Sequence, residues 1–418
     1  MPVALAPLFI VLIVLPTIVY YLALTTSLAF GSCLAAIILI ARFMEPLVRR
    51  EITHVPAPGG AASVGGAAVR AAMSFRAATP LVLAVLLLAL IAAHAAVAWS
   101  YQPFDGARAA GSGLMLVLIV LGGCALGDAL LAAQDTSVER SIRVCFVLFC
   151  LVAAGGIAGI SPQTSMTSAK ALFPFTEPSH FALIFTPFYV FSCARAQGAK
   201  RLLVLFTGVA IAGLLQNLTL LSVCALAALL CLRGIVLIPL LVMFALALGS
   251  LELVDLSYYT SRLDLSSDTQ NLSAIVYLQG WQLIGESWQR SGGWGVGFQQ
   301  LGMHGTEVPA AEMIYGLTQN EGNLRDGGFG LAKLAGEFGL FGVLIVLAFV
   351  RYAWRAAREL RRAAHTGRIC AARLFALSAI VGYSIEIFVR GTGYFSSTSI
   401  LLVAAFWFLA HEPRPDRQ

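Results

Sequence analysis

The stretch FTEPSHFALIF, residues 175–185, places two ionisable groups at the mouth of an apolar run. Glu177 and His180 stand three residues apart, with Pro178 and Ser179 between them. A carboxylate or an imidazole, correctly held, takes the proton from an attacking hydroxyl. If Pro178 opens a helix, the free N–H groups of its first turn and the helix dipole attract an anion to that end. The same residues also read as a plain helix start, since Glu177 and Ser179 favour capping. Farther along, NLRDGGFGLAKLAGEFGLFGVLIVLAF, residues 323–349, carries Arg325 and Asp326 just ahead of a second apolar run. Lys333 and Glu337 lie inside that run at i, i+4, and Glu386 and Arg390 repeat the spacing near the end of a third. Charges within apolar spans are costly and point to function. The structural alternative is that each pair neutralises itself on one helix face.

These groups sit in a chain of 418 residues that is 59% hydrophobic and 11% charged. A soluble domain carries about a quarter charged residues. Apolar runs of spanning length recur from end to end, which predicts an all-α polytopic membrane bundle of about twelve transmembrane helices. The spans are placed near 6–24, 26–43, 79–99, 112–132, 144–160, 179–195, 202–216, 219–232, 234–250, 330–350, 373–389 and 397–411. The N-terminal run has no basic region ahead of it and is long enough to span, so it reads as a retained first helix. With both termini in the cytoplasm, most of the 27 lysines and arginines fall inside. That is the positive-inside asymmetry, so the net charge of +6 reflects orientation and not nucleic-acid binding. Most acidic residues fall outside, which places any chemistry on the outer side.

The chain reads as a single membrane domain, 1–418, with two segments that are not spans. Residues 45–78 form a Gly/Ala/Pro-rich cytoplasmic linker. Residues 251–329 form one large outer loop, ordered by its aromatics and helical periodicity. Within it Ala274, Tyr277, Leu278, Trp281, Ile284 and Trp288 recur at helical spacing. An amphipathic helix in the outer interface and a helix packed on the bundle are both compatible with that stripe. The following GGWGVGF, residues 292–298, lacks the third glycine and the preceding strand of a dinucleotide fingerprint, so it reads as a tight turn. The eight cysteines show no metal-ligand spacing and avoid the large loop, which argues against disulfides and structural metal. His94 and Asp128, late in their spans, read as groups satisfied within the bundle. No repeat relates the two halves, which weakens a transporter reading.

Three of these stretches together resemble the Wzy-type polysaccharide polymerases, within a wider group that includes the O-antigen ligases. They are TEPSHFA opening a middle span, a GWGVG turn after an amphipathic helix in a large outer loop with Arg262 near its start, and RDGGFGLAKLAGEFGLFG leading into the next span. The resemblance implies a metal-independent, cofactor-free inverting glycosyltransferase on the periplasmic face of a bacterial inner membrane. Its substrate would be an undecaprenyl-diphosphate-linked oligosaccharide, with a chain-length regulator and a flippase of the same pathway as further partners. It gives the outer arginines the task of holding the diphosphate, for which a planar guanidinium fork is suited. Arg262, Arg325 and Arg390 are the candidates here, and Arg290 reads as a solvated loop charge. Glu177, His180 and Asp326 are the candidate bases. The ligases carry a His-Asn pair just before their E-x-G-x-x-G stretch. This chain has Arg325-Asp326-Gly327-Gly328 there, and His304 lies well upstream, which favours polymerase over ligase. An O-antigen ligase acting on lipid A-core is the first alternative, and a transporter or flippase of lipid-linked oligosaccharide is the second.

Overall fold

A computed structural model describes residues 4–22, 27–53, 64–160, 172–234, 256–266, 269–303, 308–319 and 327–413. The described residues are helical throughout, joined by short turns. The order is α1 (Leu5–Tyr21), α2 (Leu28–Thr53), α3 (Val64–Ala98), α4 (Gly106–Ala132), α5 (Asp135–Ile157), α6 (Pro178–Arg195), α7 (Gly198–Leu214) and α8 (Leu218–Cys231). Then come α9 (Leu256–Leu263), α10 (Leu272–Ser291), α11 (Pro309–Thr318), α12 (Gly330–Thr366), α13 (Ala371–Phe388) and α14 (Ser397–His411). Among the described residues, five helices are long and apolar enough to cross a membrane: those running over Thr79–Trp99, Gly106–Ala132, Asp135–Ile157, Gly330–Thr366 and Ala371–Phe388. Four shorter apolar helices accompany them. Leu81, Val85, Leu86 and Leu90 on α3 and Leu340, Leu344 and Leu347 on α12 are exposed. In water such contiguous apolar faces are a liability, whereas hydrocarbon solvates them. Helix is the form an apolar run must take in lipid, because it satisfies every backbone group internally.

Helix α6 lies at the centre. Phe181, Phe185, Phe188 and Tyr189 are fully buried, and they interlock with Phe149 of α5, Phe9 of α1 and Phe375 of α13 at ring centroid separations of 5.2–5.7 Å. Lipid tails are as apolar as these rings, so close packing and edge-to-face geometry hold this column together more than release of water does. Elsewhere small residues let backbones approach. A Cβ on Gly122 of α4 would meet Ala36 of α2 at 2.7 Å, and one on Gly127 would meet the Trp407 ring of α14 at 2.7 Å. Asp128 is satisfied within the bundle by the Trp407 indole N–H at 2.8 Å.

Two segments differ from the sequence expectation. Of the stretch 45–78 read as a linker, α2 occupies residues up to Thr53 and α3 those from Val64. The remainder, 54–63, lies outside the described residues, as does all but the first residue of the span placed at 234–250. Helix α12 also continues well past 350 to Thr366, where its Gly367 C-cap takes the left-handed conformation (φ 68°).

Among the described residues, the stretch 251–329 contributes α9, α10 and α11. Helix α10 starts on an Asn271 side-chain cap and ends at Gly292 in the left-handed region. It buries Ile275, Gln279, Leu283 and Ser287 against α11 and α12 and leaves Trp281 outward. The helix thus packs on the bundle and presents an aromatic face as well.

The glycine turn after α10 docks on a break in α12. Gly339 has φ 55° and ψ −130°, which interrupts the helix. A break frees backbone groups that a membrane interior cannot solvate. The turn supplies their partners. Val296 N–H donates to Gly336 O at 3.0 Å, Gly297 N–H to Glu337 O at 2.8 Å, and Leu340 N–H to Gly293 O at 3.0 Å. Trp288 Nε1–H adds a bond to Ala335 O at 2.8 Å. His94 on α3 reaches Trp294 O through Nε2 at 3.0 Å and stacks on the Trp294 ring. The glycines therefore serve close backbone approach.

Candidate functional site

Helix α6 begins at Pro178, whose missing N–H costs nothing in a first turn. Glu177 occupies the N-cap position in extended conformation, yet its side chain makes no capping bond. It turns away and accepts from Ser179 Oγ at 2.8 Å and from Arg390 Nη2 at 3.3 Å. Plain capping therefore does not account for the Glu177 carboxylate.

Arg390 follows the C-terminus of α13, where its N–H closes the last turn on Ile385 O at 3.0 Å. The Glu386–Arg390 pair does not form. Glu386, 2% exposed, instead accepts from Thr392 Oγ1 at 2.7 Å, Ser396 Oγ at 3.3 Å and Thr398 Oγ1. That hydroxyl cage satisfies Glu386 and leaves Arg390 directed at Glu177. On α12, Glu337 is also buried, against the Gln299 backbone and the Tyr394 phenol, with Lys333 adding attraction.

Glu177 and Arg390 line a cavity of about 670 Å³ at one end of the bundle. Arg262, from the last turn of α9, lines the same cavity. Leu218, Leu272, Val276 and Phe388 give it apolar walls. Asn217, Ser222, Ser273 and Tyr277 add polar groups. Two guanidiniums and one carboxylate thus face a partly apolar cavity, which suits an anion carried on an apolar chain. The Glu177–Arg390 pair is partly solvated, with side chains 41% and 25% exposed. Pairs of that kind add only about 0–1 kcal/mol to stability, so little holds the carboxylate on Arg390. Asp264, two residues after Arg262, folds into its own turn. The Ser266 N–H at 3.0 Å holds its carboxyl below the usual range.

His180 is not brought to this cavity. Its Nδ1 lies 2.9 Å from Thr176 Oγ1, and its ring lines a narrow cleft with Thr392, Ser396 and Thr398. Glu177 precedes the helix in extended conformation and turns to Arg390, whereas His180 lies within the first turn and turns to Thr176, so the two serve different spaces. Arg290 pairs with Glu286 on its own helix. Arg325, Asp326 and His304 lie outside the described residues. Gly328, two residues after Asp326, lines the cavity, and its carbonyl accepts from Gly391 N–H at 3.0 Å.

Sequence reasoning missed Asn217. Its Oδ1 caps α8 at Leu220 N–H (3.1 Å) and its Nδ2 donates to Pro178 O at 2.5 Å, tying the starts of α6 and α8 together. The signal was present: Gln216-Asn217 interrupts an apolar run at the same end of the bundle as Glu177. Tyr277 was placed in the α10 stripe, but its bond to Phe388 O at 3.3 Å, beside Arg390, was not foreseen. Replacing Asn217 by alanine loses a helix cap and removes the side-chain donor from the half-buried Pro178 carbonyl. The expected cost is about 2–3 kcal/mol, read as a lowered Tm in detergent. Asn217→Asp keeps the cap acceptor and loses only the donor, so it should fall between alanine and wild type. Equal Tm values for all three would show that Asn217 does not join the two helices.

Compared with known proteins, the chain matches no family model, no curated protein and no solved structure. No group of three or more His, Cys, Asp or Glu suited to a metal occurs among the described residues. The chemistry must therefore be argued from the cavity itself.

Proposed function

We propose that this chain is an inverting glycosyltransferase that polymerises undecaprenyl-diphosphate-linked oligosaccharide repeat units at the periplasmic face of a bacterial inner membrane. The proposal includes about twelve spans, cytoplasmic termini and a periplasmic position for residues 251–329. The observation that carries it is the cavity that gathers Arg262, Arg390 and Glu177 from three distant parts of the chain. In the reaction a sugar hydroxyl oxygen attacks the anomeric carbon of the donor from the face opposite the diphosphate. The bond from that carbon to the diphosphate oxygen breaks, and its electron pair leaves with the phosphate. Arg262 and Arg390, with Arg325 as a third candidate, hold the negative charge that develops there. Glu177 takes the hydroxyl proton, with Asp326 as the rival base. The apolar walls accommodate the first isoprene units of the carrier.

The test is direct. Purified protein in liposomes is given a lipid-linked repeat unit, and products are resolved on a gel. A ladder that disappears with Arg262→Ala supports the reading. Transfer only after lipid A-core is added would make the protein a ligase. Movement of lipid-linked sugar across the bilayer with no new glycosidic bond would make it a transporter.

The separation of Glu177 from His180 gives a sharper expectation. Glu177→Gln should slow ladder growth by about 100-fold or more, within the usual range for a general base. His180→Gln should slow it by less than about 5-fold, since the imidazole does not line the cavity. The reverse ranking would move the base to the cleft beside Thr176.

A further inference from the structure

A second cavity lies at the opposite end of the bundle, remote from Glu177. It measures about 730 Å³ and is framed by α5, α6 and α7. Arg195, the last residue of α6, forms its polar floor, held by Glu139 Oε2 at 3.0 Å and by Ile369 O at 3.4 Å. Arg143 shares Glu139 at 3.2 Å, but its side chain is 73% exposed and free to pivot. Lys200, in the first turn of α7, is exposed on the other rim. Two arginines therefore share one carboxylate, and Lys200 adds a third cation to the cavity lining. Phe146, Phe191 and Val204 make an apolar wall beside them.

The placement of these groups along the helices is informative. The charges stop where the apolar faces begin. On α5 the residues after Arg143 include exposed Val144, Val147, Leu148 and Leu151; on α7 Leu203 and Phe206 are exposed after Lys200. The groove thus sets its cations beside an apolar wall of Phe146, Phe191 and Val204, and the helix faces next to it are exposed hydrocarbon. A soluble anion needs only the cations. A lipid with an anionic headgroup needs both. Basic pockets between membrane helices on the cytoplasmic side take such headgroups, where the leaflet is also rich in anionic lipid. Long Arg and Lys side chains reach the phosphate while their stems lie along apolar surface.

We propose that this groove is a binding site for an anionic phospholipid. Arg143 and Lys200 grip the phosphodiester from either rim, Arg195 supports it from below, and one acyl chain lies against Phe146 and Phe191. Glu139 keeps Arg195 in place. The site rests on geometry at the far end of the bundle and does not depend on the reaction proposed above.

Native mass spectrometry of the full chain in neutral detergent tests it, with phosphatidylglycerol, cardiolipin and phosphatidylcholine added in turn. The two anionic lipids should be retained at least five-fold over phosphatidylcholine. The Arg143→Gln/Lys200→Gln pair should lower that retention at least five-fold. An Arg358→Gln/Arg362→Gln pair, which removes the same charge from exposed positions of α12, should leave it unchanged. Equal retention by the Arg143/Lys200 pair and wild type would overturn the proposal. So would equal retention of phosphatidylcholine, or displacement of the lipid by millimolar glycerol phosphate, which would mark a site for soluble phosphates. If the double variant does not purify, Arg143→Gln alone is read in its place, since it leaves the Arg195–Glu139 contact intact.

Discussion

Replacing Arg390 by alanine should abolish ladder formation in the liposome assay while leaving the folded protein intact. Arg390 is held to the bundle by its backbone, and its side chain pairs with a half-exposed Glu177 at 3.3 Å. Little stability rests on that pair, so Tm should move by no more than a few degrees. The reaction, by contrast, sheds a diphosphate, and its developing charge needs fixed donors. Loss of one such donor costs about 100–1,000-fold in rate. Arg262→Ala should cost a similar factor. Since both would grip one leaving group, the double variant should fall far short of the product of the two losses. Arg390→Lys should recover part of the activity, keeping the charge and losing the planar fork. An Arg390→Ala variant with wild-type turnover would remove the cavity from the mechanism. A variant that fails to fold would instead assign Arg390 a structural role.

The second large effect is expected at the break in α12. Gly339→Ala should prevent recovery of monodisperse protein. Its φ of 55° and ψ of −130° lie where L side chains are excluded. A Cβ there would also fall inside the contact radius of Gly293 O and the Trp294 backbone. The obstacle is backbone, which cannot rotate aside as a side chain would. Strain and overpacking together make a cost of about 4 kcal/mol reasonable. Gly295→Ala meets the same interface from the other side, against Gly339 N and Glu337 O, at φ 97°. Gly285→Ala is the control: it is helical, exposed and has open space around it. It should be neutral or gain about 0.5–1 kcal/mol. Thermal unfolding in detergent reads all three. Normal stability of Gly339→Ala would mean that the glycine turn is not seated on the helix break.

The turn matters for the cavity as well. It anchors α10 to α12, and α10 carries Tyr277 to the Phe388 carbonyl beside Arg390. Gly328, just before α12, bonds Gly391 just after Arg390. The proposed donor site is thus assembled on the same junction that repairs the broken helix. Variants that loosen the junction should lose activity before they unfold, because a shift of about 1 Å at a reacting group is costly.

Sequence alone determined the helical architecture and most helix positions. The run placed at 397–411 is α14, Ser397–His411, and the span expected to begin at 330 begins at Gly330. An apolar run in lipid has only one way to satisfy its backbone, so its length and position suffice to identify it. The same reading singled out Glu177, Arg262 and Arg390 as candidates, and all three line one cavity. What it could not supply was their company. The i, i+4 spacing of Glu386 and Arg390 suggested a pair, but Glu386 turned to three hydroxyls and Arg390 to Glu177, 213 residues away. Glu177 and His180 read as neighbouring candidate bases, yet Glu177, extended at the N-cap, faces Arg390 while His180, inside the first turn, faces Thr176. Asn217 drew no notice in the sequence, yet it joins the starts of two helices. The glycine turn read as close backbone approach, and the packed bundle supplied what it approaches, the break at Gly339. Hydrophobic periodicity records how each segment meets its solvent. Which polar side chain meets which depends on how helices distant in sequence are brought together, and only the packed bundle decides that.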